Sequence, residues 1–147
     1  MPTITGTAGS ESLDGTNSDD VIFGFAGNDV INGRGGADIL FGGSGADVFA
    51  FTFNTDSNEA NLDYIADFTS GEDFIFLRYA YLSIVRTDDG SSLLFGSLRD
   101  NLASDGRFAI AVIGQSVNGF DIPFNILQEG PGSPLEMVGS NNADGFD

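Results

Sequence analysis

The sequence predicts an all-β fold of stacked nine-residue units, each a tight turn followed by a short strand. Three regularities carry that expectation. Glycine recurs every nine residues, an acid stands five residues after each of those glycines, and a large apolar residue follows two places later, without a gap from residue 6 to residue 50. Two units make one coil.

The five consecutive blocks are GTAGSESLD, GTNSDDVIF, GFAGNDVIN, GRGGADILF and GGSGADVFA. Position one is Gly6, Gly15, Gly24, Gly33 and Gly42; position four is glycine except at Ser18; position six is Glu11, Asp20, Asp29, Asp38 and Asp47; position eight is Leu13, Ile22, Ile31, Leu40 and Phe49. A flexible Gly/Asp linker would show no such phase between its residue types. Glycine permits tight turns and lets carbonyls converge without a Cβ in the way. The acid supplies a charged oxygen, and calcium takes about six to eight oxygens from carboxylates and carbonyls together. The β-formers around position eight make the strand. Two and a half coils stack to only about 12 Å, too short to bury a core without a cap.

Composition agrees with cation sites. There are 5 Lys and Arg against 22 Asp and Glu, a net charge of −17, yet 41% of the 147 residues are hydrophobic, which disfavours general disorder. An acidic chain without basic patches is not expected to bind nucleic acid or anionic membranes, and no apolar run reaches the ~20 residues of a membrane-inserting helix. With no Cys and no His, disulfides, zinc sites, thiol nucleophiles and imidazole bases are excluded by inventory. Hard oxygen ligands remain. The stretch from Met1 to Gly6 lacks the basic and apolar segments of a cleaved signal peptide, so export is expected by another route.

The blocks resemble the RTX (repeats-in-toxin, hemolysin-type) calcium-binding family, whose pattern is G-G-x-G-x-D-x-U-x. That resemblance implies a parallel β-roll with eighteen residues per coil, so that alternate blocks stack on the same side. Asp29 and Asp47, with Glu11, then line one edge, and Asp20 with Asp38 the other. Several calcium ions are implied, each held between stacked turns by position-six carboxylates and by carbonyls of positions one and three. The residues concerned are Gly15, Asn17, Asp20, Gly33, Gly35 and Asp38 on one edge, and Gly24, Ala26, Asp29, Gly42, Ser44 and Asp47 on the other. Two departures weaken particular sites: position two is Thr7, Thr16, Phe25 and Arg34 before Gly43, and Glu11 replaces aspartate in the first block.

Residues 51–59 keep the nonapeptide frame once more, with Asp56 at position six, and the run DYIADFTSGEDFIFL is similar to the segment that follows such repeats in secreted proteases, lipases and alginate-epimerase modules. By that likeness Asp56, Asp63 and Asp67 complete the last sites; read alone, they are equally solvated turn acids. Further strands are expected near Phe74 to Tyr79, Leu82 to Arg86, Ser92 to Phe95, Phe108 to Ile113 and Phe120 to Leu127. Asp89-Gly90 is the turn of a hairpin, and Arg99 to Ala103 one helical turn. The chain thus divides into a calcium-binding roll (1–59), a continuous β-rich cap (60–129) and a tail (130–147) that is either loose or an uncleaved export signal of the type I kind. Phe23 and Phe41, eighteen residues apart, stack on one face with Phe25 beside them, either as core beneath the C-terminal segment or as a patch for a partner or for self-association into oligomers or filaments.

Functionally these features point to a protein acting outside the cell or at its surface, folding on calcium, in a structural, matrix or self-assembling role. The alternative is a C-terminal module of a larger secreted enzyme or adhesin. An enzyme in its own right is not expected: carboxylates would have to act as acid and base, and the position-six acids are already assigned to calcium. Ser44 in Gly-Gly-Ser-Gly-Ala falls short of a nucleophile elbow, and no EF-hand loop is present.

Overall fold

The computed structural model describes residues 1–51, 56–58, 60–77, 80–98, 107–114, 117 and 121. Six short strands come from the repeats: β1 (Thr3–Thr5), β2 (Ser12–Asp14), β3 (Val21–Phe23), β4 (Val30–Asn32), β5 (Ile39–Phe41) and β6 (Val48–Phe51). Each is centred on position eight and preceded by its turn. They pair in parallel with the strand two blocks away, Ile22 beside Leu40 in one sheet and Leu13 beside Ile31 in the other. This is a β-roll of eighteen residues per coil. β1 adds a strand that the block alignment omits, because Ile4 stands at position eight of an incomplete block before Gly6 and pairs with Ile22.

The roll runs beyond residue 59. β7 (Asp63–Ile65) pairs with β5 and β8 (Phe74–Leu77) with β6, both parallel. The nonapeptide frame expected for residues 51–59 is not kept. Asp63, and not Asp56, stacks against Asp38, because the coil here spans 25 residues instead of 18; the matching step from Asp47 reaches Asp73 in 26. Stacking fixes the strands, and the corner absorbs the added length.

The rest of the described chain extends one sheet. β9 (Ala80–Arg86) and β10 (Ser92–Leu98) form an antiparallel hairpin, and β11 (Arg107–Val112) joins β10 to β7, parallel to β7. The sheets are therefore seven-stranded, β1-β3-β5-β7-β11-β10-β9, and four-stranded, β2-β4-β6-β8. The hairpin turns at Asp89-Gly90 as expected, with Gly90 at φ 90° and Asp89 Oδ1 accepting the Ser91 N–H at 2.9 Å. The expected helical turn at 99–103, the tail, and the strand at 120–127 apart from Asp121 lie outside the described residues.

Strand alternation sends position eight inward. Ile22, Ile31, Leu40, Phe49, Ile65 and Ile75 are fully buried, joined by Leu94, Ile110, Val112 and Val117 from the C-terminal segment. Each such side chain contributes roughly 1.5–3 kcal/mol. Ile4 and Leu13, at the open end, are only partly buried. The segment is clasped to the roll by Asp121, which accepts the Ser70 hydroxyl at 2.8 Å and the Gly71 N–H at 2.9 Å. Arg86 adds a bond from Nη2 to the Val117 carbonyl at 2.7 Å.

The tight pitch explains one glycine in particular. Gly45 sits at φ 121°, and a Cβ there would lie 1.9 Å from the Gly27 carbonyl oxygen; Gly71, at φ 87°, has open space around it. Gly71→Ala is therefore expected to cost about 1–2 kcal/mol, the left-handed penalty alone, and Gly45→Ala distinctly more, because the coil below must move. Denaturant melts of both variants at saturating calcium check the difference.

Candidate metal centre

Position-six acids are the rungs between coils. On one edge the Asp20 N–H donates to Asp38 Oδ1 at 2.8 Å and the Asp38 N–H to Asp63 Oδ1 at 2.9 Å. On the other, Glu11, Asp29 and Asp47 donate their N–H groups to Asp29, Asp47 and Asp73 Oδ1 at 2.8, 2.9 and 2.9 Å. Asp20, Asp29, Asp38, Asp47, Asp56, Asp63 and Asp73 are all buried. One oxygen of each of Asp29, Asp38, Asp47, Asp63 and Asp73 is thus engaged by the coil before it.

The other oxygen is the informative one. Asp29, Asp38, Asp47 and Asp63 each bury an Oδ2 with no hydrogen-bond partner, and Asp20 buries its Oδ1. For Asp20 the reason is local: eighteen residues earlier stands Pro2, which has no N–H to give. A buried carboxylate oxygen left unpaired costs at least about 1–3 kcal/mol, so five of them call for a ligand. The space beside them fits one. A Cβ built on Gly24 would lie 2.5 Å from the Gly42 carbonyl oxygen and 2.6 Å from Asp29 Oδ2; on Gly15 it would lie 2.3 Å from the Gly33 carbonyl oxygen. Position-one glycines leave a cradle in which a carboxylate and the carbonyl of the stacked turn converge. Among the described residues no three acidic side chains gather at one point; the donor set is carboxylate plus carbonyl, all hard oxygen, as calcium prefers.

Position two decides which turns are open. In the third, fourth and fifth blocks Phe25, Arg34 and Gly43 have φ of 78, 70 and 92°, and there Asp29, Asp38 and Asp47 Oδ2 are unpartnered. In the first two blocks position two is threonine and stays out of that region. The Thr16 N–H and hydroxyl donate to Asp20 Oδ2 at 2.6 and 2.9 Å. The Thr7 N–H donates to Glu11 Oε1 at 2.9 Å, and its hydroxyl to Oε2. A threonine thus supplies from within the turn the positive partner that the left-handed turns leave to a cation. Holding Phe25 or Arg34 left-handed costs about 1–2 kcal/mol each.

Of the residues expected from the sequence, Gly15, Asn17, Asp20, Gly33, Gly35, Asp38 and Asp63 come together on one edge, and Gly24, Ala26, Asp29, Gly42, Ser44 and Asp47 on the other. Ala26 and Ser44 are bridged across the coils, and the Ser44 carbonyl accepts the Gly27 N–H at 3.0 Å, leaving its second lone pair. Asp67 does something different: its oxygens accept the Gly42 and Gly43 N–H groups at 2.8 and 2.9 Å, closing the fifth turn. Asp56 lines a cavity of about 600 Å³ with Asn17, Arg34, Gly35 and Asn58, and its charge acts on both Asp38 and Asp63. Asp73 was not among the expected residues. Its signal lies in the strand it opens, since Asp73-Phe74-Ile75 repeats Asp47-Val48-Phe49.

Burial, aided by neighbouring acids, raises these carboxyls: Asp63 to about 9, Asp38 to about 7 and Asp73 to about 6, with Asp47 also raised. The rung N–H groups oppose the shift without cancelling it.

The RTX calcium-binding nonapeptide repeat matches the chain in four copies, over residues 5–40 and 15–49. Among solved structures the chain is similar to the AlgE6R3 subunit of the Azotobacter vinelandii mannuronan C5-epimerase, with 30% identity and a TM-score of 0.64 over 84% of this chain and 77% of that one. The AlgE6R2 subunit of that enzyme matches at 26% identity and a TM-score of 0.58, over 84% and 92% of the two chains. A comparison with curated proteins finds no match.

Two outcomes are expected. Without metal, the folded form holds protons on Asp63 and Asp38 that the unfolded chain releases near the ordinary carboxylate value of about 4. Metal-free stability should therefore fall as pH rises from there towards 9, a slope that melts in chelator record and that saturating calcium should flatten. Thr16→Gly frees Asp20 Oδ2, so titration calorimetry should count more calcium per chain than in the wild type.

Proposed function

The chain belongs to the family of RTX calcium-binding nonapeptide repeat proteins, and from that premise we propose that it is a secreted protein whose roll is completed by extracellular calcium. The observation that carries this is the set of buried, unpartnered carboxylate oxygens facing position-one carbonyls. Calcium would supply two positive charges and accept oxygen donors from both stacked turns. The residues proposed to hold it are Asp29, Asp38, Asp47 and Asp63, with Asp20 and Asp73 at the ends of their rows and the carbonyls of Gly24, Ala26, Gly33, Gly35, Gly42 and Ser44. Gly15 and Asn17 belong to a turn that Thr16 already closes in part, and Asp67 and Asp56 act from beside the sites.

A net charge of −17 opposes compaction until cations enter the turns. Ligand binding to the folded form alone adds about 2.7 kcal/mol per site at a hundred times Kd. Extracellular calcium modules bind at about 10⁻⁴ to 10⁻³ M, so the chain stays open at cytosolic calcium and closes outside. Such a unit is structural, and what supports a non-catalytic role is that the buried acids are committed to rungs and turns. A second reading is favoured by the two solved relatives, which are subunits of one enzyme and are spanned over most of their length: the roll would be a module of a larger secreted enzyme, carried beside its catalytic part.

Small-angle scattering in chelator and then in millimolar calcium, with magnesium as control, tests the coupling. The radius of gyration is expected to contract from about 40 Å towards about 15 Å at constant mass. Equal compactness in chelator and in calcium would overturn the proposal.

A further inference from the structure

Among the described side chains, the outer face of the seven-stranded sheet carries an uncharged, largely apolar strip. Ile22, Leu40, Ile65, Ile110 and Leu94 point inward and are fully buried, so their sequence neighbours in the strands face out. Across the registered pairs these form one continuous row, Val21, Ile39, Tyr64, Ala111, Leu93 and Val85, in which Ala111 is buried and Val21, Ile39 and Leu93 are half-buried. A parallel row holds Phe23 and Phe41, their rings stacked at 4.7 Å and 12°. The Phe25 ring lies 6.0 Å from that of Phe23. Tyr64, Val85 and Phe25 are 41, 45 and 52% exposed.

Phe25 holds a left-handed backbone, where Gly43 stands in the turn one coil on. A side chain in that conformation is strained, yet here it extends the aromatic stack into solvent. Charge separates the surfaces too: neither outward row contains an acid, although the chain as a whole is at −17.

We infer that this face is where two copies of the chain meet. A basic partner is drawn to the acidic turn edges and gains nothing from an uncharged sheet. An anionic surface is repelled by the whole molecule. An identical face complements itself about a twofold axis, and that pairing keeps both copies' acidic turns in solvent. Seven strands about 4.8 Å apart give a strip about 29 Å long, which is smaller than the ~800 Å² per partner of a standard stable interface once two rows of side chains are covered. The dimer is weak and exchanges with monomer. It requires the folded roll but not the secretory reading, so either can fail without the other.

Sedimentation equilibrium of the full calcium-loaded chain, from about 1 μM to about 1 mM, tests it. The average mass should climb towards twice the monomer and no further, and more steeply when salt screens the repulsion between copies. Tyr64→Arg lowers the net negative charge yet places two cations against each other across the axis, and should remain monomeric throughout. Phe25→Gly relieves the strained turn, and should melt no lower than the wild type while associating several-fold more weakly. A wild-type mass that stays monomeric to the top of the range overturns the inference, as does growth beyond a dimer. Undiminished association of Phe25→Gly overturns it too, and that variant keeps the test open should Tyr64→Arg fail to fold.

Discussion

Everything in this molecule hangs on a carboxylate shared between two coils. From Asp29 onward, one oxygen of each rung acid accepts the backbone N–H of the acid one coil earlier, as Asp47 does from Asp29 at 2.9 Å. That bond fixes the stacking distance, and the stacking distance puts the second oxygen inside the turn, beneath a carbonyl and beyond the reach of water. The same group therefore builds the coil and creates the charge that prevents its closing unaided. Burying ions without partners is prohibitive. On the proposed reading, cation binding and folding are one event, rooted in the geometry of a single residue type.

The turns answer that constraint in two ways. At Thr16 the hydroxyl and amide satisfy the acid from inside the turn. At Phe25, Arg34 and Gly43 the chain goes left-handed and offers the acid nothing. The roll is thus graded along its axis: threonines meet their acids in the first two turns, although Asp20 keeps one unpartnered buried oxygen, and from the third turn to the fifth the second oxygen has no partner. The last coils are held by another device: longer corners in which Asp67 closes the fifth turn, while Ser57 and Ser70 donate to Ala109 and Asp121 and so tie the roll to the C-terminal segment. Ser57 shows the economy of this corner, donating its hydroxyl to the Ala109 carbonyl and accepting the Asp63 N–H at 2.9 Å.

How much of this can be read from residues alone depends on how many position types agree. Where glycine, acid and aliphatic recur together, from Gly6 to Ala50, strands, edges and aromatic stacking follow directly. Ile4 carries only one of the three, so the first strand escapes notice. Asp73 is hidden by a 26-residue step that breaks the spacing, and Asp56 keeps the spacing after the fold has abandoned it, so that it stands beside Asn17 and Gly35 while Asp63 takes the rung. The backbone of Phe25 and Arg34 could not be anticipated either. Nothing about a phenylalanine or an arginine announces a positive φ; for Phe25 alone the turn one coil on, where Gly43 occupies the same place, does so.

The rungs also have a direction. In every position-six rung the amide belongs to the earlier coil and the carboxylate to the later, whereas the Ala37 and Ala46 N–H groups donate back to Asp19 and Asn28 Oδ1 of the coil before, each at 2.9 Å. The carboxylate rungs alone are a row of latches all facing the same way. A chain emerging from a pore with its N-terminus first would leave each carboxylate rung open until the next coil had followed it out, and the last two would close only when Asp63 and Asp73 arrived.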